Sequence, residues 1–294
     1  MIEKDYLKKF YLCDNMVLLT VVKSTDIVNK SAKLHNLTPT TMAVLGRVLT
    51  MSAISASKLK NEGSSVSAVV MGDGPCGRVV SVARFGGFVK GHIDNPSVDL
   101  MPKKLNKLDV SGAVGKGKLR VISDYGFGNP YVGEVDLVTG EIAEDFTSYY
   151  AISLQQPCAI ALGVLVGVNA KCESAGGLLI EVMPYATEDD VKLLEEIVAG
   201  LSDISRILKE CTIDDFVKKY FNRLNPIEYE TMHPKFKCDC SKARMKKVVE
   251  SLGEKEVDEI IAEFGKVEVC CDFCGAKRSF DKSELKFSKS KNND

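Results

Sequence analysis

Four cysteines near the C-terminus are the residues of this chain best suited to chemistry. They form two close pairs, Cys238-x-Cys240 and Cys271-x-x-Cys274, with 30 residues between the pairs. Four thiolates complete the tetrahedral shell of one Zn²⁺ ion. Residues i and i+2 of an extended strand project to the same side, and a C-x-x-C-Gly turn directs both sulfurs to one point. The spacing therefore predicts a zinc site made of these four cysteines.

Two neighbouring residues could compete for the metal. Cys270 adjoins Cys271 but points to the other side of an extended strand, so we expect it to be a packed thiol and not a ligand. His233 lacks the spacing of a ligand. Four thiolates on Zn²⁺ carry a net charge of about −2, and six basic residues near in sequence are expected to offset it: Lys235, Lys237, Lys242, Arg244, Lys277 and Arg278.

The cellular compartment determines what the cysteines can do. Residues 1–10 are too charged for the core of a signal peptide, and the longest apolar run, residues 158–168, is too short to span a bilayer. We therefore expect a cytoplasmic protein with reduced thiols, in which clustered cysteines indicate metal or redox chemistry. The scattered cysteines are expected to be small buried hydrophobic residues: Cys13, Cys76, Cys158, Cys172 and Cys211.

A zinc site made only of thiolates is open to oxidation. The thiolate is the oxidisable form of cysteine, and disulfide formation would remove the ligands and release the ion. A bridge between Cys238 and Cys240 would be strained and hence easily reduced. The residues thus allow two functions, a static zinc unit or a zinc-held switch opened by oxidants.

The pattern of the whole chain predicts an α+β protein in three parts. Residues 1–184 form a β-rich core with packing helices, residues 185–233 a helical linker arm, and residues 234–294 a small zinc-binding domain. In the core, strands are predicted at 16–23, 66–71, 78–83, 88–93, 112–115, 119–123, 131–138, 158–169 and 178–183, with a turn at 173–177 and helices at 24–35, 38–60 and 145–155.

The linker arm carries an apolar stripe. Thr187 is a helix cap followed by three acids, as the helix dipole favours, and apolar residues then recur at helical spacing from Val191 to Cys211. A second amphipathic segment spans residues 213–224. So wide a stripe must be covered, either by ordinary core packing or by docking of an arm that can leave.

The small domain is predicted to hold helices at 244–252 and 254–264, with Gly265 capping the second. Residues 267–270 and 278–280 would form a hairpin around the C-x-x-C turn, and residues 286–294 a frayed end. So short a segment holds few large apolar side chains, so a bound metal would supply much of its folding energy.

The cysteine pattern and several other stretches of this sequence closely resemble those of the 33-kDa chaperonin family of redox-regulated heat-shock holdases. Phe236-x-Cys238-x-Cys240-Ser241 and Cys271-Asp272-Phe273-Cys274-Gly275 are the most specific part of the resemblance. Further landmarks follow in family order over essentially the whole chain: Leu45-Gly46-Arg47, Gly72-Asp73-Gly74-Pro75, Gly115-Lys116-Gly117-Lys118-Leu119, Pro130-Tyr131-Val132-Gly133, and Ala175-Gly176-Gly177. Cys270, Leu154 and Glu181 depart from the family pattern.

The resemblance implies a concrete cycle. The reduced, Zn²⁺-bound monomer would be inactive, and oxidation would form Cys238–Cys240 and Cys271–Cys274 disulfides, release zinc and unfold the tail and linker arm. The exposed surface would capture unfolding client proteins without ATP, and the active form would be a homodimer. Clients would pass to ATP-dependent foldases when reducing conditions return.

Two other classes of protein fit the sequence less well. Residues 235–294 hold 14 Lys/Arg against 12 Asp/Glu and offer no aromatic platform, which argues against a zinc-containing nucleic-acid-binding protein. For an enzyme with a structural zinc, Gly112-x₄-Gly117-Lys118 nearly matches a phosphate-binding loop. However, Leu119 replaces the required Ser/Thr and a strand is predicted to follow. The sequence therefore predicts no catalytic residues.

Overall fold

The computed structural model describes residues 5–102, 107–201 and 203–287. The chain divides into two compact units, Met1–Lys237 and Cys238–Asp294. Strands and helices occur in both units, so the predicted α+β class is confirmed. Most of the predicted frayed end, 288–294, lies outside the described residues. No helix in the described ranges is long and apolar enough to cross a membrane.

The first unit contains two sheets and the helices that pack on them. Its strands are β1 (Tyr6–Leu12), β2 (Val17–Lys23), β3 (Ser65–Gly72), β4 (Arg78–Arg84), β5 (Phe88–Ile93), β6 (Gly117–Asp124), β7 (Tyr131–Asp136), β8 (Cys158–Val166), β9 (Cys172–Val182), β10 (Ile227–Met232) and β11 (Lys235–Phe236). Its helices are α1 (Thr25–His35), α2 (Pro39–Ala56), α3 (Val110–Val114), α4 (Ala143–Ile152), α5 (Glu188–Ala199), α6 (Ile204–Glu210) and α7 (Ile213–Phe221).

Helix α2 is the common support of the two sheets, whose strand orders are β10-β1-β2-β9-β8 and β11-β5-β4-β3-β6-β7. It contacts strands of both, and nearly all its residues are buried. Small side chains allow this close packing: a Cβ on Gly46 would lie 2.8 Å from Val164, and Ser52 donates a hydrogen bond to Ser81 at 2.6 Å. The helix ends at Ala56, four residues before the predicted Lys60.

The linker arm is docked on the first sheet. Successive side chains of β2 point to opposite faces of the sheet. Val22 packs on the face covered by α1 and α2, and Leu19 and Val21 lie on the opposite face. That opposite face is covered by buried side chains of the arm: Leu194, Leu201, Ile204, Leu208, Ile213, Phe216, Val217, Phe221 and Leu224. Strand β10, also in the arm, pairs with β1 at the edge of the same sheet. The predicted stripe is therefore real, and the sheet covers it.

Polar contacts fix the register of the docked arm. The hydroxyl of Tyr6 accepts the Ile213 N–H at 2.9 Å, and Lys8 pairs with Asp214 at 2.7 Å and with Glu228 at 2.9 Å. At the start of the arm, Thr187 caps α5 by accepting the Asp190 N–H, as predicted. The charges of β1 thus find partners in the arm, which explains why a strand so rich in lysine can be buried.

Several local predictions are wrong. Residues 112–115 belong to α3 and its C-terminal turn, because the Asp109 carboxylate accepts the Gly112 N–H and starts a helix. The predicted turn at 173–177 lies inside β9. The glycines there allow neighbouring strands to approach: a Cβ on Gly176 would lie 2.5 Å from the Val22 carbonyl, and one on Gly177 2.4 Å from the Ala161 carbonyl. Strands β1 and β10 were not predicted.

The N-terminus of α1 is capped from a distance. Ser24 occupies the N-cap position, but its side chain makes no cap hydrogen bond and contacts the Thr50 hydroxyl at 2.7 Å. The carboxylate of Asp5 accepts the N–H groups of Asp26 at 2.9 Å and Ile27 at 2.7 Å. Burial raises the pKa of Asp5 to about 7, although these hydrogen bonds lower it. A buried carboxylate that precedes β1 therefore positions α1.

We expect Phe216→Ala to weaken docking of the linker arm. The ring is fully buried against the sheet, and loss of a buried phenylalanine costs about 3–5 kcal/mol. Urea unfolding followed by circular dichroism measures the loss. The exposed Lys218→Ala in the same helix is the control and should change stability by less than about 0.5 kcal/mol. Equal stability of the two variants would contradict the docking described here.

We expect Asp5→Asn to remove a pH dependence of stability. Because the pKa of Asp5 is raised in the folded protein, its stabilising contribution is present below its ordinary pKa of 3.8 and is lost as pH rises to about 7. Stability of the wild type relative to the variant should fall across that window by at most about 4 kcal/mol. Unfolding midpoints at several pH values test this. A flat difference between the wild type and Asp5→Asn across this window would refute the assignment.

Candidate metal centre

The four predicted cysteines meet in the second unit. Their Sγ atoms all lie within 4.8 Å of one another, and all four are free thiols. Cys238 Sγ lies 3.7 Å from Cys271 Sγ, and Cys240 Sγ lies 3.3 Å from Cys274 Sγ. A regular tetrahedron with Zn–S bonds of about 2.3 Å has S–S edges of about 3.8 Å. The cluster therefore has the composition and dimensions that one Zn²⁺ ion requires.

Local backbone structure aims the sulfurs. Cys238 and Cys240 lie in an extended segment before α8 (Lys242–Ser251), which Ser241 caps by accepting the Arg244 N–H at 3.1 Å. The other pair lies in the turn between β12 (Val267–Cys270) and β13 (Lys277–Phe280). In this turn Gly275, at φ 68, donates its N–H to the Cys271 carbonyl at 2.8 Å. A side chain would strain this backbone, which accounts for the glycine.

A small hydrophobic cluster supports the site. It consists of Met245, Val249, Val257, Val267, Phe280 and Leu285, with helix α9 (Glu254–Phe264) contributing one wall. Cys240 and Cys271 pack against this cluster. Gly265 ends α9 in the left-handed conformation, as predicted, and the hairpin flanking the turn is confirmed. Because the apolar cluster is small, we expect ligation to contribute much of the stability of this unit.

The thiols of the site are electrostatically unequal. Burial raises the pKa of Cys238 and of Cys240. Burial also acts on Cys274, but the Ala276 N–H and the neighbouring cysteine thiols donate to its sulfur, and they lower the pKa overall. The N–H of Cys240 donates to Cys238 in the same manner. Backbone donors thus stabilise negative charge on one sulfur of each pair.

Three of the basic side chains expected to offset that charge are paired with acids instead. Lys242 pairs with Glu284 at 2.6 Å, Arg244 pairs with Asp239, and Lys277 lies 3.8 Å from Glu268. Lys235 and Lys237 belong to the first unit, where the Lys237 ammonium lies 4.1 Å from the centre of the Phe88 ring. The sequence showed the positive charges, but not the backbone donors that act on the sulfurs.

Comparison with known proteins identifies the chain. The family model described as Hsp33 protein matches residues 5–281. The chain belongs to the Hsp33 family. This confirms the resemblance found in the sequence and makes the protein a member of a chaperone family.

Individual relatives agree with the family match. The 33 kDa chaperonin of Thermoanaerobacter sp. (strain X514) is 39% identical over 285 residues, which cover 96% of this chain and 97% of the relative. That of Clostridium novyi (strain NT) is 38% identical over 283 residues, or 96% of each chain. The crystal structure of the 33 kDa chaperonin from Thermotoga maritima superposes with a TM-score of 0.89 at 32% identity, covering 96% of this chain and 97% of that one.

Cys270 differs from the other cysteines of this Hsp33-family chain. It lies on β12 opposite Lys277 and is exposed, so the expectation of a packed thiol is wrong. It is also outside the group of four sulfurs that the structure brings together. His233 lies in the first unit, where its Nδ1 is 3.3 Å from the Asp5 carbonyl. Neither residue takes part in the cluster.

The five scattered cysteines are poor nucleophiles. Burial raises the pKa of Cys76 to about 11 and those of Cys13, Cys158 and Cys172 to about 12, and it also raises the pKa of Cys211. Cys76 and Cys172 are buried as expected, and the other three are half-buried. Because thiols are much less reactive than thiolates, oxidants should spare these five cysteines.

We expect Cys271→Ser to abolish stoichiometric zinc binding and Cys270→Ser to retain it. The first change removes one of four clustered sulfurs, and the second alters an exposed thiol on the adjacent residue. The zinc content of the purified reduced variants, measured by elemental analysis, tests this. Loss of zinc from both variants would contradict the assignment of the four ligands.

Proposed function

We propose that this protein is a redox-regulated, ATP-independent holdase that binds unfolding proteins under oxidative and heat stress. The observation that carries the proposal is a cluster of four thiols, at the spacing of a zinc site, packed against a small core in a chain of a chaperone family. The proposed domains are a chaperone core at 1–184, the linker arm at 185–233 and a zinc-binding redox-switch domain at 234–294. The proposal places the protein in the cytoplasm.

In the resting state, Cys238, Cys240, Cys271 and Cys274 would hold Zn²⁺ as thiolates. The metal would supply bonds that the small cluster around Phe280 cannot replace, and it would lower the electrostatic repulsion among four half-buried sulfurs. With the linker arm covering the sheet, the protein would be an inactive monomer. Nothing in this state requires ATP or a catalytic residue.

Oxidation would convert the four ligands into two disulfides. Following the family, the pairs are Cys238–Cys240 and Cys271–Cys274. Formation of each disulfide from two thiolates transfers two electrons to the oxidant. With peroxide as the oxidant, each disulfide consumes one H₂O₂ and two protons and yields two waters. A sulfur in a disulfide no longer ligates zinc strongly, so the ion leaves and the second unit loses its main support.

Unfolding of the second unit would affect the linker arm through the covalent connection between them. Cys238 follows directly after Lys237, and β11 before it pairs with β5 through only two residues, Lys235 and Phe236. Once the tail is unfolded, the arm is held by β10, its polar contacts and its apolar stripe. Raised temperature then favours release, because the conformational entropy of the freed arm grows in weight.

Release of the arm would expose the surface that clients bind. The sheet face beneath it is strongly apolar and includes Phe10, Leu19, Val21, Leu178 and Ile180, and the stripe of the arm is uncovered at the same time. An unfolding protein presents similar apolar segments, so the two surfaces would bury each other. The active form would be a homodimer, and clients would pass to ATP-dependent foldases after reduction.

No observation favours the other two classes. Lys118 of the supposed phosphate loop pairs with Glu134 at 2.8 Å and is the second residue of strand β6, so a helix N-terminus does not follow the loop. Two of the basic side chains near the cysteines, Lys242 and Arg244, are paired with acids, which reduces the basic surface offered to nucleic acid. Family membership also favours a chaperone over an enzyme.

The main test treats the reduced, zinc-loaded protein with peroxide at raised temperature. We expect zinc release, followed with a chromogenic chelator, to accompany suppression of the light scattering of a thermally unfolding client. Suppression should be substantial near a one-to-one ratio and should reverse after dithiothreitol. The physical reason is that loss of the four ligands removes the support that keeps the arm docked.

Matched variants make the test specific. Cys270→Ser should behave as the wild type, because its thiol lies outside the cluster, whereas Cys271→Ser should hold no zinc and lose redox control. If zinc leaves the wild type and aggregation is not suppressed, the zinc switch stands and the holdase function is wrong. If suppression occurs without zinc release, the proposed trigger is wrong.

A further inference from the structure

A polar cavity of about 450 Å³ lies in the first unit, where the linker arm meets the chaperone core. Arg47 of α2 and residues 162–166 of β8 form the wall on the core side. Asp203 and Arg206 of the arm line the cavity from the other side, and Lys107 also borders it. The cavity therefore brings three cationic side chains together from separate parts of the chain.

Arg47 is held in place with spare hydrogen-bonding capacity. Its Nη1 donates to the Glu141 carboxylate at 2.8 Å and to the Glu141 carbonyl at 2.9 Å. Its Nε atom is buried and, among the described residues, has no hydrogen-bond partner. A buried donor without a partner is destabilising, and a water or ion that becomes its partner is one explanation for such a group.

The other two cations are also incompletely neutralised. Lys107 reaches the same Glu141 carboxylate only at 4.0 Å. Within the described ranges, Arg206 has no carboxylate within ion-pair distance, and its neighbour Asp203 is the one acidic side chain lining the cavity. Three cations thus face two carboxylates, one of which Arg47 already engages. An added anion would relieve this imbalance.

The backbone around the cavity is also suited to an anion. Strand β8 is the last strand of its sheet, and an edge strand has N–H groups without partners in the sheet. At Gly163 the arm comes so close that a Cβ would lie 2.8 Å from the Ser205 backbone nitrogen. The glycine therefore keeps the arm, and with it Arg206, next to the edge of β8.

We propose that this cavity binds a small phosphate-bearing anion between Arg47 and Lys107 on one side and Arg206 on the other. Guanidinium groups match the oxygens of a phosphate in a bidentate manner, and a phosphate can accept from all three side chains at once. The cavity has room for an inorganic phosphate or a small phosphate ester. The four-cysteine cluster lies in the other unit and has no part in this binding.

The position of the site gives the anion a regulatory effect, which rests on the proposed function. Arg47 belongs to the core and Arg206 to the arm, so the complete site exists only while the arm is docked. A ligand that binds one of two states stabilises that state. The anion therefore holds the arm against the core and delays activation of the chaperone.

Binding is tested on the reduced, zinc-loaded full chain by calorimetric titration with inorganic phosphate and, separately, with glycerol 3-phosphate. Chloride keeps the ionic strength constant. We expect saturable binding, weakened about tenfold in Arg206→Gln, because one charge-assisted contact is lost. The control is Arg223→Gln, another exposed arginine of the arm that does not line the cavity and should bind as the wild type.

The outcomes separate the ligand from the site. Tighter binding of glycerol 3-phosphate supports a phosphate ester as the natural ligand, and equal or tighter binding of phosphate supports the free ion. Absence of saturable binding, or equal weakening in Arg206→Gln and Arg223→Gln, overturns the site, because general electrostatic attraction would then explain the result.

Regulation is tested by the half-time of activation after peroxide addition, with and without saturating phosphate. We expect a severalfold longer half-time in the wild type and no change in Arg206→Gln. If phosphate binds but the half-time is unaltered, the regulatory part is wrong and the site stands. If peroxide fails to activate the protein without phosphate, the proposed holdase function is wrong, and the titration still decides whether the site exists.

Discussion

The structure of the second unit depends on keeping four sulfurs within 4.8 Å of one another. Thiolates at such distances repel each other, and burial raises the pKa of Cys238 and Cys240, so the cluster is stable only with protons or a cation among the sulfurs. The hydrophobic cluster around Val249 and Phe280 is too small to oppose that repulsion alone. A metal would thus stabilise the unit, and any chemistry that removes its ligands would destabilise it. In the proposed function, the same four atoms would serve as support and as sensor.

Burial and hydrogen bonding shift the pKa values of the cysteine thiols in different directions. Burial raises the pKa of all five scattered cysteines, and it reaches about 11 for Cys76 and about 12 for Cys158 and Cys172. No hydrogen-bond donor at these five thiols is strong enough to reverse the effect. At Cys274 the donors of the turn do reverse it. Within the cluster the pKa of Cys274 is thus lowered, whereas burial raises the pKa of Cys238 and of Cys240. Cys270 is exposed; it precedes Cys271 in the sequence and lies outside the cluster of four sulfurs.

The first unit presents a second physical constraint, a sheet that is apolar on both faces. Helices α1 and α2 cover one face permanently because α2 is also packed on the other sheet. The other face is covered by the linker arm, whose helices are short and contact fewer elements. In the proposed function, this cover is the part that would leave while the core stays folded. Hydrogen bonds from Tyr6 and ion pairs of Lys8 define where the arm docks, and they add specificity to the non-directional apolar contact.

The sequence by itself determined the features that depend on neighbours in the chain. The spacing of Cys238, Cys240, Cys271 and Cys274 predicted the cluster, Thr187 and Gly265 predicted helix ends, and the apolar stripe predicted an arm that needs a cover. Each of these is encoded within a few residues, apart from the approach of the two cysteine pairs. Only the tertiary structure showed that Asp5 caps α1, that Gly176 and Gly177 permit close strands within β9, and that β1 can bury its lysines. It also decided that Cys270 is exposed and that Arg47 and Arg206 line one cavity. The physical reason is that these roles depend on partners far away in the chain, and local patterns carry no information about such partners.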